Sequence, residues 1–269
     1  MPSAAPEVRR LLILWVAAWL VYSLSGLVGS GGGLEPLLLM DYRALFAGRL
    51  EYLPGLVGHA FGHEAFPALG HIFFNGLLLW IFGPEVEALY RGRRFWKLFL
   101  AAVAAGAGVH LLLHLVVGGP FSIPVIGGSG FVSAVIAINA AVYPGRVLSF
   151  FGVFRFRMMT LFLVYLVLDL MGFLFALAGQ TDGVAVDVHL AGAALGWWWA
   201  GGFQRFDGPL RRWSQRRAVA RQQRQRQRAA GEEAELDRIL AKISAEGLNS
   251  LSPRERQFLE RRSRGRRDR

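Results

Sequence analysis

Residues 98–145 read LFLAAVAAGAGVHLLLHLVVGGPFSIPVIGGSGFVSAVIAINAAVYPG, without one Asp, Glu, Lys or Arg. A bilayer crossing needs only about 20 apolar residues, so this stretch holds two crossings and the loop between them. Working outward, further apolar windows give the set Leu11–Leu27, His71–Tyr90, Leu98–Val117, Ser129–Tyr143, Met158–Leu177 and Val184–Phe203. The pattern predicts an all-α polytopic membrane protein, a bundle of six spans. An apolar content of 54% agrees, since ordinary soluble domains seldom reach it. The first window is too long for a typical signal core and has no clear cleavage site, so it reads as a retained span.

The basic residues orient the bundle. Arg9 and Arg10 precede the first span, Arg91, Arg93, Arg94 and Lys97 follow the second, and Arg146, Arg155 and Arg157 follow the fourth. All fall on one side, whereas Arg43 and Arg49 on the other are offset by Glu35, Asp41, Glu51, Glu64 and Asp182. Short cytoplasmic loops carry the Lys/Arg excess. Both termini are therefore expected in the cytoplasm, with the chain integral to a bacterial inner (plasma) membrane.

The net charge of +11 lies mostly in the tail: residues 205–269 hold 19 of the 30 basic and 9 of the 19 acidic residues, hence +10 there and +1 elsewhere. A basic tail after the last span suits anionic lipid headgroups. No nucleic-acid-binding module accompanies the charge, so no nucleic-acid partner is expected. Three regions follow: a membrane domain over 1–204, an Arg/Gln-rich linker over 205–230, lowest in complexity from Arg211 to Arg228, and a small cytoplasmic helical segment over 231–269. In that segment Leu236, Ile239, Leu240 and Ile243 keep helical spacing, Gly247 is a stop, and Ser252, Pro253 and Glu255 form a capping-box start. Between the first two spans, residues 28–70 open with Gly29-Ser30-Gly31-Gly32-Gly33 and then carry enough apolar residues to form a partly structured element at the outer membrane surface. Cysteine is absent, which excludes disulfides, thiol catalysis and cysteine-ligated metals.

A few polar residues interrupt the apolar runs, and polar groups inside a bilayer are costly unless partnered. His71 and Asn75 stand four apart on the second span, on one helical face, where both can donate to a single oxygen. Ser129 opens the fourth span within Gly127-Gly128-Ser129-Gly130, whose glycines allow close approach of a backbone. His189 is the histidine of the sixth span. Each taken alone has a structural reading: helix packing for the serine, buried satisfied groups for the others.

Together they form the order H-x-x-x-N, G-x-S-G and H-x-A-G-x-x-x-G, joined by Phe82-Gly83, Glu87, Phe95 and Asp169-Leu170-Met171-Gly172. This order resembles the rhomboid intramembrane proteases over about residues 55–200. The resemblance implies a serine endopeptidase that cuts transmembrane segments of membrane proteins within the lipid bilayer and needs no cofactor. It assigns Ser129 as nucleophile and His189 as general base, a dyad without a third carboxylate. Asn75, His71 and the Gly128–Ser129 backbone, through the Ser129 N–H, correspond to its oxyanion hole. Apart from the resemblance, small residues Ser129, Ser133 and Ala137 on the fourth span and Gly192 and Gly196 on the sixth predict close approach of these helices.

Departures from the family pattern are local. Where many rhomboids carry an aromatic residue four positions after the nucleophile and a glycine four further on, this chain has Ser133 and Ala137. The frequent Trp-Arg pair of the first loop is replaced by Pro54-Gly55, and His63 to His71 is about three residues longer.

Asp187, two residues before His189, points to a different helical face and is not expected to bond it; Asp169 is expected in a buried structural hydrogen bond. Two other functions compete: an inactive rhomboid-like protein that holds transmembrane clients, and a metal-dependent membrane transporter or intramembrane metalloprotease using His59/His63 or His110/His114. His63-Glu64 begins H-E-x-x-H, but Pro67 removes the second ligand. Because no assigned site residue lies beyond residue 210, deletion of 211–269 is expected to leave turnover of a membrane substrate by purified protein unchanged. A stable, inserted but inactive truncation contradicts this.

Overall fold

The computed structural model describes residues 5–27, 33–150, 154–180 and 183–201, and beyond these 234–235, 237–245, 247, 251–257 and 259. Two compact units divide the chain, Met1–Gln204 and Arg205–Arg269.

The first unit is mostly helical. In chain order it contains α1 (Pro6–Leu27), the short helices α2 (Glu35–Leu38), α3 (Tyr42–Phe46) and α4 (Gly55–Gly58), then α5 (Leu69–Leu89), α6 (Arg93–Val116), α7 (Ser129–Val142), strands β1 (Val147–Phe150) and β2 (Phe154–Arg157), and α8 (Met158–Leu177). A last helix, α9, covers residues 186–201. Among the described residues, four helices are long and apolar enough to cross a membrane: α1, α5, α6 and α8. Their exposed Ile, Leu, Val, Phe and Trp side chains face outward, as a lipid solvent allows. α7 differs. With 14 residues it is about 21 Å long, short of the roughly 30 Å hydrocarbon core. Its residues from Gly130 to Ala140 are all buried, so neighbouring helices enclose it. Phe131 anchors it, meeting Phe95 and Phe99 of α6 edge-on at 5.5 and 5.2 Å.

One element departs from the all-α expectation. Between α7 and α8, β1 and β2 pair antiparallel, Val147 opposite Arg157 and Phe150 opposite Phe154. Residues 154–157 alternate Phe and Arg, a period of two that a strand accommodates and a helix does not; a reading weighted to apolar windows passes over so short an element.

On the side of the basic loops, Glu87 at the end of α5 replaces a helix cap. Its carboxylate accepts the backbone N–H groups of Glu7 (3.1 Å) and Val8 (2.8 Å), in the first turn of α1, where a helix lacks internal acceptors. Glu7 in turn accepts from Trp96 Nε1 of α6 at 2.8 Å and pairs with Arg10 at 2.9 Å. Three helices are thereby tied at one end by two buried acids.

At the opposite end the first loop is ordered against the body. Met40 and Val125 exchange backbone hydrogen bonds of 2.9 Å each, and the Tyr42 hydroxyl donates to Ala107 O at 2.7 Å. Burial pushes the Tyr42 hydroxyl up to about 12, which keeps it a neutral donor. The glycine run 29–32, Asp182 and the linker 211–228 lie outside the described residues.

In the second unit, residues 237–245 and 253–257 are helical. Ile239 is fully buried, and Gly247, at φ +82°, closes the first helix by donating to Ile243 O at 2.9 Å. The Ser252 N–H donates to Glu255 Oε2 at 2.8 Å and the Glu255 N–H to Ser252 Oγ at 3.3 Å, a reciprocal capping box. Those bonds, with Lys242 and Arg238, hold the Glu255 carboxyl down at about 2. Leu236 lies outside the described residues.

Removal of the Glu87 cap leaves two buried N–H donors unpaired. Glu87→Ala is expected to lower stability by about 1–2 kcal/mol, read as a lower thermal midpoint in detergent; an unchanged midpoint contradicts the tie between α5 and α1.

Candidate active site

Gly127 adopts φ +122°, a backbone conformation favouring glycine, and its N–H donates to His59 O at 2.8 Å. The chain then turns through Gly128 into α7, whose first residue is Ser129. Beneath this turn Trp15 of α1 donates from Nε1 to Ala60 O at 2.9 Å. A Cβ added to Gly128 would overlap the Trp15 ring and stand 3.0 Å from Ala60 O. Helix α1 and the first loop thus form the floor on which the serine turn rests.

His71 and Asn75 project from α5 to the same point. A Cβ built on Gly127 would lie 2.5 Å from His71 Nε2 and 3.7 Å from Asn75 Nδ2. Asn75 is buried, and its Nδ2 has no hydrogen-bond partner among the described residues. On its other edge His71 faces the Glu64 carboxylate, 3.7 Å from Nδ1. His63 packs edge-on against both Trp15 and His71, with ring centroids 5.1 Å apart in each case. Burial, reinforced by the neighbouring His71, pushes His63 down to about 3 and leaves it neutral.

Helix α9 reaches α7 through glycine. A Cβ on Gly192 would overlap Gly130 O, and one on Gly196 would overlap Ala134 O. The contact row on α7 is therefore Gly130 and Ala134, one residue along from the expected Ser129, Ser133 and Ala137. Spacing alone fixes a stripe but not the rotation of the helix about its axis. This approach sets Ser129 Oγ 2.8 Å from His189 Nε2.

The departure at Ser133 is answered from α8. Tyr165 lies over the His189 imidazole, centroids 6.2 Å apart and 26° from parallel. Ser133 Oγ donates to Ser129 O at 2.9 Å, so the Tyr165 hydroxyl, also 2.9 Å away, donates to Ser133. The aromatic neighbour of the imidazole thus comes from a different helix. One turn further along α8, Asp169 Oδ1 stands 3.1 Å from His189 Nδ1. The i, i+4 spacing of Tyr165 and Asp169 was visible in the sequence, but the sequence did not say which helix they face.

Asp187, as expected, turns from His189. It pairs with His110 at 2.7 Å, both fully buried, and His110 Nε2 also donates to Ile123 O at 3.1 Å. His114 meets Ser122 Oγ at 2.9 Å and His59 Nδ1 meets Gly55 O at 3.0 Å. Among the described residues no group of three His, Asp or Glu side chains is disposed to hold a metal ion.

Residues 51–206 match the rhomboid domain model, more than half of the chain. The chain belongs to the rhomboid family. Rhomboids include intramembrane serine proteases, and membership implies membrane proteins as substrates or clients. Residues 222–265 of this rhomboid match a second model, a family of unknown function (DUF6576). None of the curated proteins compared with the chain matches it.

Since Gly192 touches the Gly130 backbone, Gly192→Val is expected to force α9 from α7, costing about 1–3 kcal/mol and separating Ser129 from His189. Gly108→Ala, with nothing within 4 Å of the added carbon, serves as the control. Equal thermal midpoints for the two variants contradict the contact.

Proposed function

We propose that this rhomboid is an intramembrane serine endopeptidase. The observation carrying the reading is the 2.8 Å separation of Ser129 Oγ and His189 Nε2, beside a buried Asn75 amide donor that has no partner among the described residues. A hydroxyl within reach of a base is what nucleophilic attack requires, and an unused donor is suited to an oxygen that becomes charged only during reaction.

In this reading Ser129 Oγ bonds to the scissile carbonyl carbon as its proton passes to His189 Nε2. The carbonyl π electrons move to oxygen, which receives hydrogen bonds from Asn75 Nδ2, from His71 and from the Ser129 N–H at the unpaired start of α7. The oxyanion collapses, the C–N bond breaks, and His189 gives its proton to the departing amine. Water then repeats the sequence on the acyl-enzyme, again with His189 as base, and releases Ser129.

The geometry supports a site below the membrane surface, because Ser129 opens a helix too short to span the core. If the basic loops and both termini face the cytoplasm, as the Lys/Arg distribution suggests, the start of α7 that carries Ser129 faces the non-cytoplasmic side in this reading. A transmembrane helix hides its carbonyls in i to i−4 hydrogen bonds, so the scissile segment must unwind first. Single-span proteins are accordingly cut near their non-cytoplasmic end, at small residues with Gly, Pro or polar neighbours.

Labelling by a fluorophosphonate probe is expected for the wild type and absent in Ser129→Ala and His189→Ala. Asn75→Ala should retain labelling but lose on the order of 10²–10³ in turnover. Equal labelling of wild type and Ser129→Ala overturns the assignment, and unchanged turnover in Asn75→Ala removes it from the oxyanion hole.

A further inference from the structure

A serine and a histidine are not by themselves a defined general base. The imidazole has two nitrogens, and only the tautomer with a bare Nε2 can accept the Ser129 proton. Something must hold the other proton on Nδ1. The resemblance implies a dyad with no carboxylate in that role, yet here Asp169 Oδ1 stands 3.1 Å from His189 Nδ1. Asp169 is buried, and its second oxygen has no partner among the described residues. Among the described residues neither lysine nor arginine pairs with it. Its hydrogen-bonding capacity is thus directed to one place, the imidazole.

We propose that Asp169 is a positioning residue for the reaction, holding His189 in the Nδ1–H tautomer and stabilising the imidazolium formed when Ser129 is deprotonated, with Tyr165 as the second wall of the same cradle. The inference rests on the reading of Ser129 and His189 as nucleophile and base.

Both parts come from one face of α8. Tyr165 and Asp169 are four residues apart, so one side chain lies above the other along the helix. Tyr165 covers the ring face and is itself fixed by its hydroxyl bond to Ser133. Asp169 takes the ring edge. Ser133, by donating to Ser129 O, connects the cradle back to the turn that carries the nucleophile. A chain lacking an aromatic residue at 133 needs the ring held from elsewhere, and α8 supplies both contacts. The bond change is one proton transfer: it leaves Ser129 Oγ and arrives at His189 Nε2, while the Nδ1 proton stays on nitrogen and Asp169 stays a carboxylate. A nearby negative charge lowers the cost of the transient imidazolium most where water is excluded.

Among the described residues the titratable groups against His189 are Asp169 and Tyr165 from α8; His71 of α5 stands across the Gly127 turn, and Asp187 on its own helix is taken by His110. The test uses the full-length protein in detergent with a fluorophosphonate probe and a model transmembrane substrate across a pH series. Asp169→Asn keeps the shape of the side chain and offers an N–H toward Nδ1, favouring the wrong tautomer. It is expected to fall on the order of 10²–10⁴ in turnover at neutral pH, with activity recovering as pH rises and with an altered pH profile. Tyr165→Phe, which keeps the ring, is expected to lose far less than Tyr165→Ala. A variant-free reading accompanies these: in wild-type protein with ¹⁵N-labelled histidine, assigned through His189→Gln, the His189 proton must sit on Nδ1. Asp169→Asn within twofold of wild type with an unchanged pH profile overturns the cradle while leaving Ser129 and His189 intact, whereas an Nε2–H tautomer overturns both the cradle and His189 as the base. Wild-type labelling that does not depend on Ser129 overturns both readings.

Discussion

Everything at the site depends on how closely two helix backbones approach, at Gly130 of α7 and Gly192 of α9. No methyl group fits between them. In a bilayer no hydrophobic force drives such helices together, because lipid tails are as apolar as leucine, so the gain comes from packing of small residues. The approach converts two residues sixty positions apart into a hydrogen-bonded pair. Of the polar groups, Asn75 and Asp169 are buried in protein, while Ser129, His71 and His189 are partly buried.

Around that contact the remaining helices act as holders. Helix α1 contributes no proposed reacting group, but Trp15 fixes Ala60, and the adjacent His59 fixes Gly127. Helix α5 brings His71 and Asn75 to the same turn, and its far end is tied to α1 by Glu87. The site is therefore positioned by long lever arms pinned at both ends. On the opposite flank α8 replaces a side chain that α7 lacks, with Tyr165 lying over the imidazole.

Much of this was legible in the sequence because it depends on periodicity and local chemistry. Apolar run length located the long helices, and the four-residue spacing put His71 and Asn75 on one face. Ser252 and Glu255 announced their capping box, and the two-residue offset of Asp187 correctly turned it from His189. What escaped depends on helix rotation and on pairing between distant segments. The contact row on α7 is Gly130 and Ala134 instead of the adjacent stripe, since both rows contain small residues. Asp169 read as a structural hydrogen-bonding residue, and only the packing of α8 against α9 shows that its partner is His189. The strand pair at 147–157 was too short to stand out against the apolar windows.

The shortness of α7 has a consequence for how the protein is made. A helix of 14 residues is poorly matched to the membrane-insertion machinery, which selects segments largely by hydrophobic length and composition. Its sequence neighbours α6 and α8 are both long and apolar enough to cross a membrane, so either can serve as the longer arm of a helical hairpin that carries α7. The surroundings of Ser129 are therefore complete only when α5, α6, α8 and α9 have all packed around this short helix.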